Sequence, residues 1–165
     1  MHQLVFILLH DQKNNFMDTK YFEKIRIFDG GMGQELLSKG LISKGTLWSA
    51  SALIEREFHK LVIDAHMSYI NAGADIIVTN NFSARKIRFI QNKVLDKFQY
   101  ANEQAGILAN KAREISITKY INSWFITIST RYICEDERSS SEIQSNFEEQ
   151  AKIISPYVDF FILML

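Results

Sequence analysis

Cysteine is almost missing from this sequence of 165 residues: Cys134 stands alone, so the chain cannot form an internal disulfide bond. This fits a reducing compartment without establishing one. Proline is equally scarce, with one residue, which favours regular secondary structure over a long unfolded linker. Excess charge is also missing, since basic and acidic residues number 19 each. We therefore expect no nucleic-acid partner and no attraction to an anionic membrane.

Long apolar runs are absent as well. The first ten residues, MHQLVFILLH, contain an apolar run of only six residues with no lysine or arginine before it, unlike a secretory signal. No stretch approaches the roughly 20 apolar residues that cross a bilayer. We expect a cytoplasmic protein in which residues 1–24 are a poorly patterned extension and residues 25–165 form one domain.

What the sequence does contain is an alternation of strand-like and helix-like segments. Strands are predicted at residues 25–28, 76–78, 123–130 and 157–165, because these runs are apolar or β-branched. The segments between them have apolar residues at steps of three and four, as helices do. In the clearest predicted helix these residues are Phe98, Ala101, Ala105, Leu108, Ala112 and Ile115.

This alternation predicts an α/β fold with parallel strands. Four strands fit either a small open sheet or the N-terminal half of an eight-stranded (β/α)8 TIM-type barrel. The last apolar run reaches the final residue, and a complete domain seldom ends on its most apolar segment. The half-barrel is therefore the expected architecture.

Three of the seven glycines, Gly30, Gly31 and Gly33, lie within four residues behind Asp29. A dinucleotide-binding motif needs a third glycine where this sequence has Leu36, and the lysine of a phosphate-binding loop is missing. The cluster is then either a plain turn between a strand and a helix or part of a site for a small polar ligand.

The position of the polar residues favours the ligand site. Six residues follow predicted strands directly, at the end of an α/β sheet where ligands bind: Asp29, Gly30, Thr79, Asn80, Asn81 and Phe82. A carboxylate accepts hydrogen bonds from an ammonium group, and the N–H groups of glycine can approach a carboxylate closely. This combination suits a small zwitterion such as an amino acid.

Other candidates for chemistry are weaker. His59 and His66 lie seven residues apart, too far for the i, i+4 spacing of a helical zinc pair, and we expect them to pack or to lie on the surface of a helix. Cys134 lies in a polar stretch without a second cysteine or a nearby histidine. We therefore predict no metal ligand and no catalytic residue in this chain.

Four stretches of the sequence resemble the homocysteine S-methyltransferase family. They are DGGMGQEL at residues 29–36, LWSASALI at 47–54, AGADIIVTNNFSA at 72–84 and SPYVDFF at 155–161. Their order and spacing match the family, and the resemblance runs from about residue 25 to residue 165.

The resemblance implies a (β/α)8 barrel about twice as long as this chain, and an enzyme of methionine biosynthesis. Such an enzyme transfers a methyl group to the thiol of homocysteine from S-methylmethionine, betaine or a methylfolate-derived cobalamin. Three cysteines of the family hold a zinc ion that keeps the thiol as thiolate. By the same resemblance, Asp29 and Gly30 hold the amino-acid end of homocysteine. Thr79 contacts the substrate and Phe82 forms a wall of the pocket.

The sequence also departs from the family. The zinc cysteines, one alone and two in a Gly-Gly-Cys-Cys stretch, belong to the second half of the barrel and have no counterpart here. Met164 stands where the fourth strand of the family has a substrate-binding glutamate. We therefore expect an N-terminal half-barrel that is inactive alone, and that associates with itself or with a complementing C-terminal half because two sheet edges are open. The alternative is a non-catalytic relic or structural module with a weak amino-acid pocket.

Overall fold

A computed structural model of the chain describes residues 5–9, 19–116, 124–125, 127–129 and 139–164, with side chains at 20–116 and 139–161. Six α-helices lie in this part of the chain. They are α1 (Met32–Ser38), α2 (Ser51–Ile54), α3 (His59–Asn71), α4 (Lys86–Gln91), α5 (Phe98–Ile115) and α6 (Ser140–Ile154). None of them is long and apolar enough to cross a membrane.

Five short strands accompany the helices: β1 (Val5–Leu9), β2 (Ile77–Val78), β3 (Trp124–Phe125), β4 (Thr127–Ser129) and β5 (Phe160–Met164). β2 pairs with β3, and β4 pairs with β5, both in parallel. β1 pairs with the other edge of β5 and runs antiparallel to it. The parallel strands are separated by helices along the chain, so the predicted α/β alternation is confirmed.

The strand predicted at residues 25–28 is reduced to one bridge, in which Phe28 pairs in parallel with Ile76. Backbone hydrogen bonds still join the two segments, since Ile76 N donates to Ile27 O (3.1 Å) and Asp29 N donates to Ile76 O (2.9 Å). Ile25 is 95% exposed, so burial does not extend this pairing toward the N-terminus.

The core lies between the helices and one face of the strands. α5 packs against α2, α3 and α6, which explains why its apolar face is so regular. Five of its six predicted core residues are buried, whereas Ile115, at the end of the helix, is 57% exposed. Gly40 and Gly73 lie just after α1 and α3, and both have a φ of +100°, the left-handed conformation common after a helix.

Residues 1–24, expected to be poorly patterned, contain β1 and a 3-10 helix over Thr19–Glu23. The expectation that the last strand has an open edge is wrong, because β1 forms hydrogen-bonded pairs with β5 from Val5↔Met164 to Leu9↔Phe160. Both segments are apolar in sequence, and pairing satisfies the backbone groups that an edge strand exposes. The polar stretch around Cys134 lies outside the described residues.

Candidate functional site

Asp29 lies at the end of the first parallel segment, residues 25–28. The neighbouring segment, residues 76–78, is hydrogen-bonded to both the backbone and the side chain of Asp29. Its backbone N–H donates to Ile76 O (2.9 Å), and its Oδ2 accepts a hydrogen bond from the N–H of Val78 (2.8 Å). Because the two segments run in parallel, their carboxyl ends meet and bring Asp29 to the start of the loop that follows β2. The carboxyl group is 1% exposed.

Burial dominates the electrostatics of this carboxyl group. Loss of solvation raises the pKa of Asp29 to about 7, and the hydrogen bond from Val78 opposes this rise. The second oxygen, Oδ1, is buried and has no hydrogen-bond partner among the described residues. Asp29 therefore presents one occupied and one available oxygen, and it changes charge near neutral pH.

His66 of α3 is an ionisable neighbour of Asp29. Its Nδ1 lies 4.0 Å from Asp29 Oδ2, and its side chain is fully buried. Neither ring nitrogen has a hydrogen-bond partner within the described part of the chain. Burial lowers the pKa of His66 to about 3, so the imidazole is neutral at physiological pH. His66 therefore packs inside the fold from α3, as one of the two predicted alternatives had it.

Aromatic rings explain two of the three clustered glycines. A Cβ atom at Gly30 would lie 2.7 Å from Cε1 of Tyr69, and one at Gly33 would lie 2.6 Å from the ring of Trp48. A Cβ at Gly31 would meet nothing within 4 Å. The bare backbone at Gly30 and Gly33 thus lets the rings pack directly on the turn.

Thr79 is brought to the same place as Asp29, because it follows Val78 in the chain. Its Oγ1 donates to Asn81 Oδ1 (2.9 Å), and the N–H of Asn81 donates to Thr79 O (2.8 Å). Phe82 lies in the same turn and is half-buried, with the guanidinium of Arg85 5.4 Å from its ring centre. The turn is therefore built by its own polar side chains.

A glutamine that the sequence did not single out holds this turn in place. Gln150 of α6 is buried, and its Nε2 donates to Asn81 O (3.1 Å), Ala84 O (3.1 Å) and Asn102 Oδ1 (2.9 Å). The side chain of Asn102 also donates to Ala84 O (3.1 Å). The one sequence signal for a buried Gln150 was its position, directly before Ala151 in a stripe of otherwise apolar residues on α6.

A metal centre of the three-cysteine type does not fit these residues. Within the described residues, no group of three or more histidine, cysteine, aspartate or glutamate side chains could hold a metal ion. Asp29 and His66 supply two donor groups, and the sequence contains one cysteine.

The profile of the family described as homocysteine S-methyltransferase matches residues 26–164. The chain belongs to this family. Homocysteine S-methyltransferase 3 of Zea mays is 32% identical over 97 residues, which are 58% of this chain and 28% of the maize protein. The homocysteine S-methyltransferase of Escherichia coli K12 is 31% identical over 93 residues, or 56% of this chain and 29% of that protein.

A solved structure has a similar fold over most of this chain. The metallated form of the homocysteine methyltransferase MmuM from Escherichia coli superposes with a TM-score of 0.69 at 19% sequence identity. The superposition covers 88% of this chain and 55% of that structure. The chain thus spans about half the length of this relative, and the resemblance seen in the four sequence motifs is confirmed.

Proposed function

We propose that this chain is the amino-acid-binding half of a homocysteine S-methyltransferase barrel. In this proposal Asp29 and Gly30 bind the ammonium and carboxylate groups of homocysteine, Thr79 supplies a neutral hydrogen bond and Phe82 borders the pocket. The parallel pairing of the strands and the match to 55% of a homocysteine methyltransferase structure support a half-barrel.

The observation that carries the proposal is the state of the Asp29 carboxyl group. It is buried, its Oδ2 is held by Val78, and its Oδ1 is without a hydrogen-bond partner in the part of the chain that the structure describes. A buried acceptor without a donor costs about 1–3 kcal/mol. The ammonium group of an amino acid would remove this cost and would compensate the negative charge.

Methyl transfer itself needs a group that this chain does not provide. A free thiol has a pKa of about 8.5 and is mostly protonated near neutral pH, so it is a weak nucleophile. The family uses zinc and three cysteines for activation, and this sequence has one cysteine. We therefore propose that catalysis requires a complementing polypeptide that carries the metal ligands, with a methyl donor as second substrate. No catalytic residue is assigned to this chain.

Calorimetric titration of the chain with homocysteine and with methionine tests the binding role. We expect saturable binding, and we expect Asp29→Asn to weaken it at least about tenfold, which corresponds to about 1.4 kcal/mol. The matched control is Asp64→Asn, the same chemical change at a half-exposed carboxylate that pairs with Lys60 on α3. No binding by the unaltered chain, or equal binding by both variants, would contradict the proposal.

A turnover assay separates an enzyme half from a non-catalytic module. The chain is mixed with a C-terminal half that carries the Gly-Gly-Cys-Cys stretch, and methionine is measured with S-methylmethionine as donor. Methionine that forms only in the mixture supports the enzyme half. Homocysteine binding without turnover in the mixture identifies the chain as a binding module instead.

A further inference from the structure

We propose that His66 is a positioning residue for Asp29. In this proposal Nδ1 of His66 donates to Oδ2 of Asp29 and thereby reserves Oδ1 of Asp29 for the ammonium group of the ligand. This inference rests on the proposed amino-acid site. It assigns a role to a histidine that touches neither the ligand nor the solvent.

The two oxygens of Asp29 have different surroundings. Oδ2 accepts from Val78 at 2.8 Å and has the imidazole Nδ1 of His66 at 4.0 Å. Oδ1 has no hydrogen-bond partner among the described residues. A movement of about 1 Å brings Nδ1 to the usual 2.9–3.0 Å of an N–H···O hydrogen bond. The carboxyl group would then have two donors on one oxygen and a vacant lone pair on the other.

The burial of His66 argues against a role in packing alone. Both of its ring nitrogens are buried without a hydrogen-bond partner among the described residues, although buried polar side chains in proteins are usually bonded. Its neighbours in the buried stripe of α3 are Val62, Ala65 and Ile70, and an apolar residue in its place would avoid this cost. Asp29 Oδ2, 4.0 Å from Nδ1, is an acceptor that could use this donor.

Two carboxyl groups, those of Glu35 and Asp29, act on Tyr69. The pKa of Tyr69, one turn after His66, is raised by burial and by the negative charges of Glu35 and Asp29. Glu35 is itself paired with Lys39 at 3.2 Å. His66 is neutral, so it orients the carboxylate without cancelling the charge that attracts an ammonium group.

Below pH 7, ligand binding then releases one proton from the Asp29 carboxyl group to the solvent. With the site empty below pH 7, the proton resides on the Asp29 carboxyl group, whose pKa is about 7. When the ammonium group arrives, the carboxyl group ionises, the proton passes to the solvent, and the carboxylate accepts from Val78, His66 and the ligand. Homocysteine should therefore bind more tightly as the pH rises from 6 to 8.

The first test uses the unaltered chain without ligand. Nitrogen-15 NMR of the His66 ring identifies its tautomer, and we expect the proton on Nδ1 at pH 8. A proton on Nε2 would overturn the proposal, because Nδ1 could then not donate to Asp29.

The second test compares two variants at the same position. In His66→Asn the amide group can replace the Nδ1 donor, whereas His66→Leu removes it. We expect the Leu variant to raise the titration midpoint of the Asp29 carboxyl carbon by about one pH unit, because ionised Asp29 loses a donor. We expect it to weaken homocysteine binding at pH 8 about tenfold, and the Asn variant to stay within about threefold of the unaltered chain.

If both variants fold and have the same Asp29 titration curve and the same affinity for homocysteine, the proposed role of His66 is refuted. If the Leu variant does not fold, the Asn variant and the ring tautomer still decide the question, since loss of the Asn rescue also contradicts it. Failure of homocysteine to bind the unaltered chain refutes the amino-acid site, while the tautomer and the Asp29 titration still report on the His66 contact.

Discussion

The backbone N–H of Val78 donates a hydrogen bond of 2.8 Å to Oδ2 of Asp29, and this bond joins a buried carboxyl group to the neighbouring strand. The bond survives in an Asp29→Asn variant, because the amide oxygen can accept it. The variant therefore removes the ionisation of the side chain and keeps its contact.

This substitution should change how stability depends on pH. The pKa of Asp29 is raised from 3.8 to about 7, so the folded chain keeps a proton that the unfolded chain releases. The contribution of Asp29 to stability is therefore most favourable below pH 3.8 and is lost as the pH rises to about 7. Relative to Asp29→Asn, the unaltered chain should lose at most about 4 kcal/mol between pH 4 and 7. Urea unfolding of both proteins at several pH values measures this difference.

His66 should give the unfolding free energy a dependence on pH of the opposite sign. Its pKa is lowered from 6.5 to about 3, so the unfolded chain binds a proton that the folded chain refuses. Stability from this group is complete above pH 6.5 and is lost as the pH falls toward 3. Between about pH 4 and 6.5 the slopes from Asp29 and His66 cancel. In His66→Asn the unfolding free energy should therefore fall steadily from pH 4 to 7, and a flat profile would contradict the assigned pKa values.

Gln150→Met should destabilise the chain by about 2–3 kcal/mol. The methionine preserves the approximate volume but removes the donor to Asn81 O, Ala84 O and Asn102 Oδ1, which lie in a buried region. The control is Gln144→Met on the exposed side of the same helix, where the glutamine donates to Glu148 one turn away. We expect the control to change the unfolding free energy by less than about 0.5 kcal/mol. Equal effects in urea unfolding would show that the buried contacts contribute nothing.

Gly106→Ala should destabilise α5 by about 1–3 kcal/mol, although alanine normally favours a helix by about 1 kcal/mol over glycine. The added Cβ would come within 2.3 Å of the Cβ of Tyr157, which is rigidly attached to the backbone. Gly31→Ala is the control, since its Cβ would meet nothing within 4 Å and its φ of −68° suits alanine. A thermal midpoint for Gly106→Ala at or above that of the unaltered chain would contradict this close packing.

Removal of residues 1–18, which include β1, should cause self-association. The deletion frees the backbone groups of β5 that now pair with Val5–Leu9, and an exposed strand edge pairs readily with another chain. Sedimentation velocity should show larger species than for the full chain. A deletion of residues 1–4, which keeps β1, is the control. Identical sedimentation of the two truncated chains would mean that β1 does not protect this edge.

The sequence predicted the features that depend on local pattern. The three-and-four spacing of apolar residues located α5, because one face of that helix packs against three other helices. The strand ends also placed Asp29 near Thr79, since parallel segments bring their carboxyl ends together. The family was identified from the same stretches.

The contacts that the sequence could not predict join distant parts of the chain. His66 lies 37 positions from Asp29 and belongs to a helix whose orientation sets the 4.0 Å separation. Gln150 reaches Asn81 across 69 positions. The apolar composition of residues 4–9 does not tell which strand Val5–Leu9 pairs with.

The pairing of β1 with β5 also sets an order of events during synthesis. Val5–Leu9 is made about 150 residues before its partner strand, Phe160–Met164. At roughly 5–20 residues per second, about 8–30 s pass before the strand that pairs with this apolar segment has been made. Chaperones that bind nascent apolar segments would have this interval in which to act on residues 4–9, and slower translation would lengthen it.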